Sequence, residues 1–125
     1  MQEFIGREPV IKAVMMPKDS NHLGSIFGGV ILSYIDLAAG EHARSVSPKR
    51  YLTKVMREVN FIAPVFIGDS VSFYGETIRI GSTSICVRID VVATRGINKL
   101  ERIKVTSAEI VMVAVDNNNR PVPIN

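Results

Sequence analysis

The residues of this chain best suited to chemistry lie between Asn21 and Asp36, where a glycine-rich entry leads into an apolar helix bearing one carboxylate. Glycines at a helix start leave backbone N–H groups uncovered and let another molecule come close. Those amides sit at the positive end of the helix dipole, so they favour an oxygen carrying negative charge. Gly28 and Gly29 stand at that start. Asp36, about two turns further on, is placed to act as base or nucleophile on whatever the amides hold. The chemistry this points to is acyl transfer or hydrolysis.

Helical periodicity orders the same residues. At about 100° per residue, Gly29, Ser33, Asp36 and Gly40 fall on one line. Ile26, Phe27, Val30, Ile31, Tyr34, Leu37 and Ala38 form an apolar stripe on another arc, wide enough to cover a sheet. A solvent-facing helix surface normally carries Lys, Glu and Gln. Glycine inside a helix costs about 1 kcal/mol relative to alanine. Gly29 and Gly40 on one line therefore imply close approach by a second helix or a ligand, with Asp36 in the middle of the contact.

The elements that must position this helix follow from the rest of the chain. Val10 to Met16 reads as a short strand ended by Pro17, and Lys18 to Ser25 as a polar loop. The helix is expected from about Ile26 to Ser45, because Pro48 prevents its continuation. The period then changes to two over Tyr51–Ile62, over Gly68-Asp69 to Ile80, over Ile85–Val91 and over Arg102–Val115. Asp116-Asn117-Asn118-Asn119 reads as a turn or tail. The order is strand, long helix, then four strands with short connections, which predicts an antiparallel sheet curled around one helix. The apolar residues left over on the strands predict a homodimer.

A length of 125 residues predicts a single domain spanning 1–125. The composition is 46% hydrophobic, which excludes disorder and suggests apolar area buried between subunits. No apolar run approaches the ~20 residues that span a bilayer. Met1–Arg7 lacks the pattern of a signal peptide, and the lone cysteine, Cys86, forms no internal disulfide, so the cytoplasm is expected. The net charge of +3 comes with only one loose basic cluster, Lys49, Arg50, Lys54 and Arg57, without interleaved aromatics. Nucleic-acid binding is accordingly not expected, and solvated surface is the reading for those four residues. No His, Cys, Asp and Glu set has the spacing of a metal site. His22 reads as an incidental loop residue, His42 as an outer helix residue and Cys86 as an inert packing residue.

Several short motifs recur in an order that resembles a known family. They are Met16-Pro17, Asn21 with Gly24, Ile26-Phe27-Gly28-Gly29, and the helix reaching Asp36. Downstream come Asn60-Phe61 with Pro64-Val65, Gly68-Asp69, Gly81-Ser82-Thr83-Ser84 and Val113-Ala114-Val115-Asp116. This set resembles the hotdog-fold acyl-CoA thioesterases, in the branch of small bacterial acyl-CoA thioester hydrolases related to the cytosolic acyl-CoA hydrolases of animals. The likeness runs from about Ala13 to Pro123.

The resemblance implies an α+β hotdog fold, an antiparallel sheet wrapped around one long central helix. It implies hydrolysis of acyl-CoA to a carboxylic acid and CoA, with no cofactor beyond the CoA of the substrate. Asp36 matches the catalytic carboxylate, as general base or nucleophile. Asn21 matches a loop asparagine that reaches the site from the partner subunit, and the Gly29 N–H, beside Gly28, the group that polarises the thioester carbonyl. Gly28, Ser33 and Asn60 are the expected substrate contacts. The family assembles as homodimers, commonly as trimers of dimers. Some members carry an acid where this chain has Ser25. The competing readings are a hydratase or dehydratase on the same fold, and a non-catalytic acyl-CoA-binding module. No Gly-x-Ser-x-Gly elbow is present, which argues against an α/β-hydrolase.

Overall fold

Stretches rich in Val, Ile and Thr form the strands, and the one segment of helical period forms the only long helix. A computed structural model describes all 125 residues. In chain order the elements are β1 (Ile11–Val14), α1 (Gly28–Val46), β2 (Arg50–Arg57), β3 (Ser70–Ile80), β4 (Ser84–Arg95) and β5 (Glu101–Val115), with short 3-10 turns at Gln2–Phe4 and Pro17–Asp19. The five strands make one sheet in the order β1-β3-β4-β5-β2, and every pairing is antiparallel. The sheet curls around α1, as the sequence predicted.

Ile31, Ile35, Ala38, Ala39 and Ala43 are the helix residues buried in the core. They meet Val71, Phe73, Ile85, Val87, Ile89, Val105 and Ile110 of the sheet, all without solvent exposure. Tyr34 stacks on Phe73 with ring centroids 5.4 Å apart. This arc corrects the predicted stripe. Phe27 and Leu37 are 59% and 60% exposed, while Ile35, absent from that stripe, is fully buried. A curled sheet accepts a helix along a narrow arc, here centred on Ile35 with alanines where the backbones approach, and both outer positions stay outside.

The second strand also ends earlier than predicted. Its alternation breaks at a β-bulge between Thr53 and Val55, and pairing with β5 stops at Arg57. Glu58 follows with φ 60°, a left-handed conformation that turns the chain away from the sheet. The segment from Glu58 to Asp69 then crosses one end of the sheet. The Ile62 N–H donates to the Val105 carbonyl at 2.9 Å. The Thr106 hydroxyl donates to the Asn60 carbonyl at 2.7 Å, and the Arg95 guanidinium to the Pro64 carbonyl at 3.1 Å. Topology requires this path, because β2 lies beyond β5 while β3 lies on the far side of β4.

The crossing segment closes on the loop that precedes the helix. The Ile26 N–H donates to the Val65 carbonyl at 2.7 Å, and Ser25 forms a bridge with Phe66. Asp69, nearly fully buried, accepts from the Phe66 N–H at 2.9 Å and from Arg95 at 2.8 Å. The helix start is thus held by two loops that tertiary hydrogen bonds fix in place. On the outer face of the sheet the chain's own Phe4 stacks on Tyr74 at 4.8 Å and packs with buried Val92.

Candidate functional site

The helix opens without a cap. Its N-cap residue is Phe27, whose side chain accepts nothing, so the first amides have no side-chain partner. Phe27 N–H donates to the Asp19 carbonyl and Val30 N–H to the Phe27 carbonyl, both at 2.9 Å. Between them, the Gly28 and Gly29 N–H groups have no acceptor within the chain. These are open donors at a positive dipole end. A Cβ on Gly29 would stand 2.6 Å from the Phe27 ring, whereas one on Gly28 would meet Phe61 at 3.8 Å. An apolar pocket of about 370 Å³ lies beside Gly28, lined by Ile26, Ile31, Phe61, Ile62 and Val65 among others.

Asp36 sits half-buried at mid-helix and faces β2. Its Oδ1 accepts a hydrogen bond from the Thr53 hydroxyl at 2.6 Å, and its Oδ2 has no partner in the chain. Around it is a groove of about 230 Å³ that also includes Leu37, Gly40, Arg44, Tyr51, Thr53 and Met112. No cation pairs with Asp36; Arg44, the basic residue lining the groove, pairs instead with Glu41 at 3.5 Å. The carboxylate therefore has one anchored oxygen and one free oxygen.

Gly29 and Asp36 lie on the same side of the helix, since seven steps of about 100° nearly close two turns. Along the axis they stand about 10 Å apart at ~1.5 Å per residue. Gly28 and Asp36 line separate depressions. Within one chain the open amides and the acid do not converge on a single atom.

Asn21 is used locally. Its Oδ1 accepts the N–H of Leu23 at 2.8 Å and of Ser25 at 3.3 Å, and its Nδ2 donates to the Ser25 hydroxyl at 3.1 Å. Gly24, at φ +89°, completes this tight turn. One Nδ2 hydrogen remains unspent. Ser33 donates its hydroxyl to the Gly29 carbonyl at 2.9 Å, bonding back to the preceding turn of its own helix. Asn60 is exposed and its side chain bonds to nothing in the chain.

His22 is exposed in the loop. His42 is not an outer helix residue, as the sequence suggested; its ring lies over Gly75, with Nε2 2.8 Å from the Thr77 hydroxyl. Burial lowers its pKa below the ordinary 6.5. Neither histidine borders the Asp36 groove. Thr53 is the residue that the sequence reading missed. Its only signal was a helix-facing place beside Tyr51 in the strand after the helix, and a bulge next to it cannot be read from periodicity.

The profile of the Thioesterase superfamily matches residues 23–98, from the loop before the helix into the β4–β5 turn. The chain belongs to the thioesterase superfamily. An uncharacterized acyl-CoA thioester hydrolase of Haemophilus influenzae is 37% identical over 115 residues, covering 89% of this chain and 73% of that protein. The acyl-CoA thioester hydrolase YciA of Salmonella typhimurium is 35% identical over 121 residues, covering 94% of this chain and 90% of its own length. Among solved structures, Cj0915, a hexameric hotdog fold thioesterase of Campylobacter jejuni, superposes with a TM-score of 0.90 at 45% identity, covering 94% of this chain and 90% of that one. The strand order and central helix described above are thus the superfamily's hotdog fold, as the motifs implied. No helix of this thioesterase fold is long and apolar enough to cross a membrane.

Proposed function

We propose that this protein is an acyl-CoA thioester hydrolase, converting acyl-CoA and water to a carboxylic acid and CoA. The observation that carries the reading is a mid-helix carboxylate with one oxygen anchored and one free, on a helix whose start leaves the Gly28 and Gly29 amides unpartnered. The names of its relatives support the substrate class. The reaction is a water attack on a good acylating agent and needs no cofactor beyond the CoA of the substrate.

In this mechanism the thioester carbonyl docks on the Gly29 N–H, which stabilises the developing oxyanion. One preorganised donor of this kind contributes about 3–4 kcal/mol to the transition state. The acyl group fits the apolar pocket beside Gly28. Asp36 acts through its free oxygen, either deprotonating the water that attacks the carbonyl or attacking it directly. In both routes the C–S bond breaks and CoA leaves as a thiolate that takes up a proton. In the second, water then hydrolyses the transient anhydride to free the carboxylic acid and Asp36. Because its own amides lie about 10 Å away along the helix, Asp36 of one protomer works on a carbonyl held at the helix start of another.

Asn21 belongs to that second helix start and contributes its spare Nδ2 hydrogen to water or substrate from the partner subunit. Ser33 and Asn60 border the bound substrate. The minimal unit is a homodimer, assembled further as a trimer of dimers and working in the cytoplasm. Exposed Phe27, Leu37, Phe61 and Ile62 beside the site support burial against a second copy. The relative from Campylobacter jejuni is hexameric.

Free-thiol release from a panel of acyl-CoAs tests the function. Hydrolysis across several chain lengths is expected, and tight binding without release would instead make the protein a binding module. Asp36→Asn should fold normally and lose turnover by about two orders of magnitude or more. Near wild-type hydrolysis by that variant would end the assignment of the acid.

A further inference from the structure

The outer face of the sheet carries a charged cleft, remote from Asp36 and the helix start. Ile89, Val91 and Val105 point into the core, so strand alternation turns Arg88, Asp90 and Lys104 to the opposite face. Register places Asp90 across from Tyr74, and Arg88 across from Glu76. The first residues of the chain form the other wall. Phe4 is buried against Tyr74, and Gly6, at φ +80°, bends the backbone behind it. Arg7 thereby returns over both rings, 5.3 Å from the centre of Phe4 and 5.4 Å from that of Tyr74. Between this wall and the strands lies a depression of about 210 Å³.

Asp90 is the group in this cleft that lacks a partner. The residue is 6% exposed, and its Oδ1 is enclosed without accepting a hydrogen bond. Arg88 Nε and Lys104 Nζ each stand 3.4 Å from that oxygen, near enough to offset its charge but too long for a good hydrogen bond. A buried carboxylate left in that state is costly. The cations are little used as well. Arg7 gives one N–H to the Gly75 carbonyl at 3.3 Å, and most of its donors stay unspent. Three cations, Arg7, Arg88 and Lys104, thus share the lining with three carboxylates, Glu3, Glu76 and Asp90. Their charges cancel in sum, so neither a plain anion nor a plain cation is favoured over a ligand carrying both signs.

We propose that this cleft binds a small zwitterion, with a free α-amino acid as the ligand class. The guanidinium forks of Arg7 and Arg88 take its carboxylate, since they match a planar anion with paired donors. Arg88, 43% exposed, swings from its 3.4 Å contact with Asp90 to the ligand. The ligand's ammonium group takes the vacated place on Oδ1 and supplies the donor that Asp90 lacks. One charge thus replaces another of the same sign, and Asp90 is never left without a counterion. Glu76, exposed at the rim, is a second acceptor for the ammonium group. Phe4 is the sole apolar wall, so small or polar side chains enter more readily than large apolar ones.

Isothermal titration of the intact protein with the common L-amino acids tests this. At least one small or polar member should bind with a Kd of about 1 mM or tighter. Its N-acetyl derivative, which lacks the ammonium group, and its decarboxylated amine should each bind about tenfold more weakly or worse. Arg88→Gln and Asp90→Asn should each weaken binding of the free amino acid by about tenfold or more. Equal binding of the N-acetyl derivative would overturn the proposal and leave an anion site at the three cations. Absence of binding by any amino acid up to about 10 mM would also overturn it, leaving Asp90 as an internal charge of the sheet. Undiminished binding in Arg88→Gln would place the ligand elsewhere and end the assignment. Should Asp90→Asn melt early, Arg88→Gln and the derivative series carry the comparison. The readout is binding alone, so failure here leaves the hydrolase reading untouched.

Discussion

The imidazole of His42 lies on Gly75 so closely that a Cβ at position 75 would stand 2.6 Å from its Nδ1, and 3.0 Å from a methyl of Val10. Gly75 belongs to β3 and is paired with Ile89, so no unusual turn explains the glycine. The space above it does. Gly75→Ala should therefore destabilise the protein by about 1–3 kcal/mol through overpacking. Urea denaturation measures this. The double variant Gly75→Ala with His42→Ala should cost less than the sum of the single changes, because removing the ring frees the volume.

The same burial sets a pH dependence. The folded chain holds the His42 pKa below 6.5, while the unfolded chain takes up a proton near that value. Stability from this group is therefore complete above about pH 6.5 and falls as the pH drops towards the lowered folded value. Denaturation midpoints measured from neutral pH downwards should fall through that window. His42→Asn, which can still bond to Thr77, should flatten the fall. An unchanged slope in that variant would assign it to other groups.

Arg95 and Asp69 tie the crossing segment to the end of β4. The pair is 2.8 Å apart with side chains 25% and 3% exposed, and the guanidinium also lies 4.8 Å from the centre of the Phe66 ring. Arg95→Ala leaves a carboxylate buried without its partner and should cost about 3 kcal/mol in unfolding experiments. Asp69→Asn should cost less, since an amide oxygen can still accept the Phe66 N–H. Both variants loosen the loops that hold the helix start, so KM should rise in each.

Asn21 separates loop building from chemistry. Asn21→Asp keeps an acceptor for the N–H groups of Leu23 and Ser25, and the Ser25 hydroxyl can donate to it in turn. Its melting temperature should stay within about 2 °C of wild type, a shift well under 1 kcal/mol. Hydrolysis should nevertheless fall about tenfold or more, because the amide donor is gone. Asn21→Ala should lose both properties. Full activity in Asn21→Asp would confine Asn21 to the turn.

Much of the layout of the candidate site was legible because it is built from local patterns. The glycines of an uncapped helix start and the carboxylate about two turns later depend only on helical period and residue type, and these are properties of adjacent residues. The strand–helix–four-strand order was legible for the same reason, since a change of period from 3.6 to 2 needs no distant partner. The motif order carried the family as well.

What lay beyond the sequence depended on who pairs with whom. The arc that α1 buries was fixed by sheet curvature, which exposed Leu37 and enclosed Ile35. The end of β2 at Arg57 and the bulge beside Thr53 follow from register against β5, a strand some sixty residues away in the chain. So do the contact of Thr53 with Asp36 and the seat of His42 on Gly75. Periodicity tells a residue which side of its own element it occupies; only the packing of elements tells it what stands opposite.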